Sequence, residues 1–222
     1  MTQDTKNRVR EIIRILREEY PDPQKGMLNY STPFELLVAT ILAAQCTDVK
    51  VNQVTQTLFR KYPTPASYAS ADPRLIEQEI RSTGFFRQKT RSIMEAAQDI
   101  VNEFGGEIPH TMEELTTLRG VGRKTANVVL GKAFGQPAII VDTHVLRIAG
   151  RLHLTDARNS EKKDADKVEQ DLMKIVARED WTLFSDLLIQ LGRSICTARN
   201  PKHDICPILS LCPTGLDALS SS

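Results

Sequence analysis

Apolar residues recur at three- and four-residue spacing along almost the whole chain, a periodicity that leaves little room for anything but helices. Val9, Ile12, Ile13, Leu16 and Tyr20 form one such stripe; Phe34, Leu37, Val38, Ile41 and Leu42 a second; Ile93, Ala97, Ile100, Val101 and Phe104 a third. Helix starts are written in the same register. Thr32-Pro33-Phe34-Glu35 and Thr111-Met112-Glu113-Glu114 fit a capping box, and Asp72-Pro73 puts a cap before a proline at the first helical position. Gly105-Gly106, Gly135-Gln136-Pro137 and Asn200-Pro201 are the clearest breaks. Residues 138–141 are the one strand candidate, too short and without a partner run, and are predicted to be an extended connector. The expectation is an all-α fold of roughly ten helices, with no internal repeat and a serine-rich end at 220–222 that frays.

A chain of 222 residues that is 41% hydrophobic can bury one good core or two modest ones. Its amino-terminal residues are polar and charged, unlike a secretory signal. The most apolar stretch, 36–46, is interrupted by Thr40 and Gln45 and is too short to span a bilayer. An intracellular protein without a membrane partner is expected, and the lack of a targeting segment favours a bacterial or archaeal cytoplasm. A net charge of +1 argues against binding polyanions over the whole surface. The distribution is uneven: Arg119, Arg123, Lys124, Lys132, Arg147 and Arg151 face a single acid, Asp142, within 119–151, a local +5 that leaves −4 elsewhere. Such a segment reads either as a phosphate-binding patch or as a solvated helix face.

Four cysteines make a poor disulfide framework for this length, and Cys196, Cys206 and Cys212 crowd near the carboxy terminus. That clustering favours metal over cystine. Cys46, alone in an apolar helical pattern, reads as a buried structural thiol.

The segment 118–126, Leu-Arg-Gly-Val-Gly-Arg-Lys-Thr-Ala, joins two helical patterns through a glycine-valine-glycine turn. Gly120 and Gly122 allow positive φ and close backbone approach. A turn opening onto a helix amino terminus directs main-chain N–H groups outward and is a natural phosphate site, although helical hairpins also use glycine for purely steric reasons. Lys124, two residues into the second helix, can neutralise a phosphate; desolvated and near other cations, its amine can also act as a nucleophile. Asp142 precedes the next helical pattern in Ile140-Val141-Asp142-Thr143-His144, where it suits a helix cap or a catalytic carboxylate equally.

These residues together resemble the helix-hairpin-helix, and the Gly/Pro-rich loop after it, of the DNA glycosylase superfamily that includes endonuclease III. Residues 36–48, Leu-Leu-Val-Ala-Thr-Ile-Leu-Ala-Ala-Gln-Cys-Thr-Asp, resemble the early helix and glutamine-bearing turn of that family. Gly84-Phe85-Phe86-Arg87-Gln88-Lys89 resembles a DNA-facing loop, and the cysteine cluster falls where the family's iron–sulfur loop belongs. The similarity runs from about residue 8 to residue 212.

The resemblance implies a bifunctional DNA glycosylase and AP lyase of base excision repair. Its partner is double-stranded DNA containing damaged pyrimidines or abasic sites. The damaged base is rotated out of the duplex, Lys124 attacks the sugar carbon, Asp142 supports the charge that develops, and β-elimination from a Schiff base cuts the strand. Gln45 and Phe85 match the positions that fill the vacated space, where close relatives of the family use an aliphatic wedge at position 85. Asp48 and His144 match positions near the pocket. Gly120, Gly122, Arg123, Arg147, Arg199 and Lys202 are the expected DNA-backbone contacts. The family's four-iron four-sulfur cluster uses four cysteines spaced C-x6-C-x2-C-x5-C; here the set reads Cys196, His203, Cys206, Cys212, with histidine at the second place. A 4Fe-4S cluster ligated by His203, a labile three-cysteine cluster and a structural zinc site all remain open.

The resemblance also implies two helical domains with a DNA-binding cleft between them: 26–135, a six-helix barrel with the helix-hairpin-helix, and a discontinuous domain of 1–25 and 136–222 carrying the metal-cluster loop. A monomer is expected. Rival readings are a non-catalytic DNA-binding module, a redox-sensing metalloprotein and, among enzymes, a purine-directed glycosylase.

Overall fold

The computed structural model describes residues 2–220, whose regular elements are all helices, with no strand among them. Beyond Ser220 the serine-rich end lies outside the described residues. The helices are α1 (Gln3–Glu19), α2 (Pro33–Leu42), α3 (Asp48–Lys61), α4 (Pro65–Ala69), α5 (Pro73–Ile80), α6 (Phe86–Glu103), α7 (Met112–Leu115), α8 (Arg123–Ala133), α9 (Thr143–Arg151), α10 (Ala157–Glu161), α11 (Ala165–Met173), α12 (Trp181–Ser194) and α13 (Pro213–Ser220). Three-residue 3-10 turns follow α5, precede α12 and punctuate the loop between α12 and α13.

The chain divides into two compact units, Gly26–Gln136 and the remainder on either side of it. Gly26–Gln136 holds α2 to α8, of which α4 and α7 are short single turns. Its central helix is α2, whose Phe34, Leu36, Leu37, Val38, Ala39, Ile41 and Leu42 are all buried. A helix apolar on every side must be surrounded, and α3, α6 and α8 pack around it. α6 in turn carries α4 and α5 on its other flank. Tyr68 on α4 is fully buried, its ring edge-on to Phe34 at 5.3 Å.

In the other unit α12 is central, burying Phe184, Leu187, Leu188, Ile189 and Leu191 and packing against α1 and α9. Gly192 allows the close approach of α9: a Cβ there would meet His144 Nδ1 at 2.6 Å. The connector 138–141 is extended and buried, as its composition indicates. Its polar backbone is satisfied by hydroxyls on α12. Ala138 N–H donates to Thr182 Oγ1 at 3.3 Å, and Ile140 N–H donates to Ser185 Oγ at 2.9 Å.

The predicted N-caps form, but in neither predicted capping box does the glutamate accept from the cap's own backbone N–H. Thr32 Oγ1 accepts from the Glu35 N–H, but the Glu35 carboxylate accepts from the N–H of Ser31, one residue before the cap. At α7 Thr111 Oγ1 accepts from Glu114 N–H and donates to the Glu114 carboxylate. Asp72 caps α5 through Arg74 N–H at 2.8 Å. Among the described residues, no helix is long and apolar enough to cross a membrane.

Candidate DNA-facing elements and cluster site

In the hairpin the two glycines do different work. Gly120 has φ +81, and a Cβ there would lie 2.7 Å from Ser92 Cβ, so both backbone conformation and packing on α6 demand glycine. Gly122 is extended (φ −94, ψ 172), caps α8, and would have nothing within 4 Å of an added Cβ. The expected positive φ is therefore used at 120 only, and the bare face of Gly122 is turned away from the rest of the protein. No side chain caps α8, so its first turn carries the positive end of a helix dipole without an internal acceptor from a side chain.

The hairpin is anchored by Asp99 of α6, which is nearly buried. Its carboxylate accepts from the Arg119 backbone N–H at 2.9 Å and from the Arg119 guanidinium at 2.6–3.1 Å. The Arg119 hydrogen bonds hold the Asp99 carboxyl below its usual range, against the opposing effect of burial.

Arg123 and Lys124, at the start of α8, are exposed. The desolvation expected around the Lys124 amine is thus not supplied within the described residues. Asp142 caps α9: Oδ1 accepts from both His144 N–H and Val145 N–H at 2.8 Å. His144 lies behind it, its Nδ1 3.2 Å from Arg147 Nη2. Gln45 and Phe85 are both exposed, and both have left-handed backbones, φ +53 and +47. Cys46, next to Gln45, is half-buried against the core rather than fully enclosed. Asp48 opens α3.

The basic segment is less uniform than its charge count suggests. Arg119 is paired with Asp99, and Lys132 lies against Met27 Sδ at 2.9 Å. Arg147, expected to face DNA, turns its guanidinium inward instead. It donates to the carbonyls of Cys196 at 2.8 Å and Gly192 at 3.1 Å, and burial pushes it below its usual range. Arg151 donates to the carbonyls of Thr197 and Ala198 and to Cys196 Sγ at 3.1 Å. Arg8 of α1 holds the carbonyls of Leu152 and Leu211. Three arginines thus pin the carboxy-terminal loop from below. Charge counting alone could not distinguish them from phosphate contacts. Arg199 and Lys202, by contrast, are exposed on that loop.

Cys196, His203, Cys206 and Cys212 line one small pocket, walled by Ile148, Leu152, Leu191, Ile195, Ile208 and Leu209. Hydrogen-bond donors are aimed at all three sulfurs: Arg151 at Cys196, the Ile208 N–H at Cys206, and the Gly215 N–H at Cys212 at 3.4 Å. Donors of this kind favour sulfur in its thiolate form. Burial pushes the Cys206 and Cys212 thiols up. His203 is half-buried; a Cβ at Gly215 would lie 3.2 Å from His203 Nδ1 and 3.4 Å from Cys212 Sγ. Glycine at 215 therefore keeps the space between these two donors open. Among the described residues no three His, Cys, Asp or Glu side chains come together closely enough to hold one metal ion.

Residues 38–178 match the model of the HhH-GPD superfamily base excision DNA repair proteins, and 196–212 match the iron–sulfur binding domain of endonuclease III. Endonuclease III of Synechocystis sp. is 50% identical over 211 residues, covering 95% of this chain and 94% of that protein. Endonuclease III of Escherichia coli K12 is 40% identical over 202 residues, covering 91% and 93%. Among solved structures, a trapped endonuclease III–DNA covalent intermediate, an estranged-adenine complex, superposes with a TM-score of 0.90 at 41% identity, over 99% of this chain and 100% of that one. A thermostable thymine-DNA glycosylase shares the fold at a TM-score of 0.82 and 21% identity. The cofactor of the carboxy-terminal loop is accordingly a 4Fe-4S cluster. With this coverage and identity, the chain belongs to the endonuclease III family of the HhH-GPD superfamily of base excision DNA repair proteins.

Proposed function

We propose that this chain, a DNA glycosylase with AP lyase activity acting on duplex DNA, removes oxidised pyrimidines through a lysine Schiff base. The observation that carries the reading is Lys124: an exposed amine in the first turn of α8, two residues after the unobstructed Gly122 and in a helix start without a side-chain cap. Lys124 Nζ attacks C1′ of the extruded nucleotide; the glycosidic bond breaks and the base leaves with the bonding pair. Water excluded by bound DNA would supply the desolvation that the exposed amine lacks. Asp142 keeps Oδ1 on the α9 N–H groups and uses its other oxygen to support positive charge on the sugar. The lysine nitrogen, having lost its proton, then expels O4′ from C1′, opening the sugar to the imine as the ring oxygen takes up a proton; loss of a C2′ proton from the imine expels the 3′ phosphate with its bonding pair, and hydrolysis of the imine returns the lysine. Gln45 and Phe85 fill the space left by the base. Gly120, Gly122 and Arg123 grip the backbone, with Arg199 and Lys202 on the loop beyond.

Cys196, His203, Cys206 and Cys212 would hold the cluster, His203 replacing the family's second cysteine. The cluster supplies loop structure, ordering 197–205 so that Arg199 and Lys202 are presented. Chromosomal DNA in a bacterial cytoplasm is the setting that the relatives support. Borohydride trapping on a duplex carrying an oxidised thymine tests the chemistry. A covalent adduct in the parent protein and none in Lys124→Ala is expected. If cluster-loaded protein gives no adduct on this or an abasic duplex, the lysine mechanism is wrong and the non-catalytic binder takes its place.

A further inference from the structure

Gln45 and Phe85 share an unusual backbone: each is an exposed residue with a side chain, held in left-handed φ/ψ at the tip of a turn. Such conformations persist only where the surroundings enforce them. One buried side chain reaches both turns. Lys89, the fourth residue of α6, is 4% exposed. Its Nζ donates at 2.8 Å to the carbonyl of Leu42, the last residue of α2, and at 2.8 Å to the carbonyl of Thr83, at the end of the 3-10 turn. Leu42 precedes Gln45 by three residues, and Thr83 precedes Phe85 by two.

An amine is an expensive way to fill this place. Burial pushes Lys89 below the usual lysine range, with Cys46 acting in the opposite sense. An aliphatic side chain would occupy the same volume without that cost. What it could not do is satisfy two helix-terminal carbonyls from different segments at once. Thr83, itself 2% exposed, completes the second turn by donating its hydroxyl to the Ile80 carbonyl at 2.8 Å.

We propose that Lys89 is a positioning residue that locks the turns at 43–47 and 83–85 into one geometry, so that Gln45 and Phe85 enter the duplex as a pair. The proposal rests on the reading that these two side chains replace the extruded base. Cluster-loaded protein is titrated into a duplex with a tetrahydrofuran abasic analogue opposite 2-aminopurine, whose fluorescence rises when its stacking is broken. The parent protein should give a rise that Gln45→Ala and Phe85→Ala each diminish; no rise in the parent would refute the insertion reading itself. Given that rise, Lys89→Met at saturation should lower it at least about threefold and slow single-turnover base removal about tenfold. The salt dependence of Kd should stay unchanged, since no phosphate contact is lost. Ile100→Val, a core truncation in the same helix, should lower thermal stability and keep the full rise. Lys89→Gln, one bond shorter but still a donor, serves if the methionine variant does not fold, and should give an intermediate rise. A full rise from whichever of the two lysine variants folds, or an equal loss in Ile100→Val, would overturn the proposal.

Discussion

Replacing the two hairpin glycines by alanine separates what the fold requires from what DNA requires. At Gly120 the backbone has φ +81 and the added Cβ would lie 2.7 Å from Ser92 Cβ and 3.1 Å from Ser92 Cα. Left-handed backbone costs an L-residue about 1–2 kcal/mol. Forcing a methyl into closely packed atoms adds about 1–3 kcal/mol, because Ser92 Cα belongs to the α6 backbone and cannot swing aside. The smaller entropy of the unfolded alanine chain returns about 0.4–1 kcal/mol. Gly120→Ala should therefore destabilise the protein by about 2–4 kcal/mol, a fall in Tm of roughly 5–15 °C at this chain length. Gly122→Ala meets neither penalty: its φ is −94 and nothing lies within 4 Å. Its stability should change by less than about 1 kcal/mol. Its affinity for abasic duplex, measured at fixed salt, should nevertheless fall about tenfold if a phosphate approaches that bare backbone. Thermal unfolding followed by circular dichroism, with fluorescence anisotropy on labelled duplex, reads both variants. Equal Tm values for the two would refute the packing argument, and unchanged affinity in Gly122→Ala would refute the phosphate grip.

Other perturbations test the remaining elements. Asp142→Asn keeps a side chain that caps α9 as well as aspartate does, so Tm should hold while single-turnover excision falls at least about a hundredfold; Asp142→Ala should also lose about 1 kcal/mol of stability. Because Asp99 is held below its usual range by Arg119, its contribution is complete above the unfolded-state value of about 3.9 and is lost as pH falls through the lower folded value. Chemical denaturation from pH 7 to 3 should therefore show less acid destabilisation in Asp99→Asn, which should already be about 1–2 kcal/mol weaker at neutral pH. His203→Cys should retain the cluster's visible absorption and lower its reduction potential, whereas His203→Ala should lose absorption faster under chelator; identical behaviour of all three proteins would exclude His203 as a ligand. Arg199→Ala and Lys202→Ala should each reduce the slope of log K against log salt by about 0.9, an effect absent if the loop does not meet the backbone.

Much of this molecule is legible without coordinates because its signals are local. Helix periodicity, the caps at Thr32, Asp72 and Thr111, the glycine turn before Lys124 and the 196–212 spacing are all written within a few residues of one another. Each depends on backbone geometry that short segments impose on themselves. The run 138–141 is legible as a connector because it has no partner run, though not that serine and threonine of α12 satisfy its backbone.

What only the tertiary structure decided is how distant segments share polar atoms. Charge counting treats the arginines of 119–151 alike, yet Arg119 is committed to Asp99, and Arg147 and Arg151 to carbonyls some forty-five residues away. The same composition would describe a basic DNA-facing surface or the underside of a metal loop. Gly120 and Gly122 look equivalent in sequence and differ because only one of them meets Ser92. Lys89 reads as one more cation in a DNA-facing loop, but lies buried between two helix ends. Local pattern fixes which segments become helices and where they stop; which cation reaches solvent and which is consumed by a carbonyl depends on packing between segments far apart in the chain, and no local pattern encodes that.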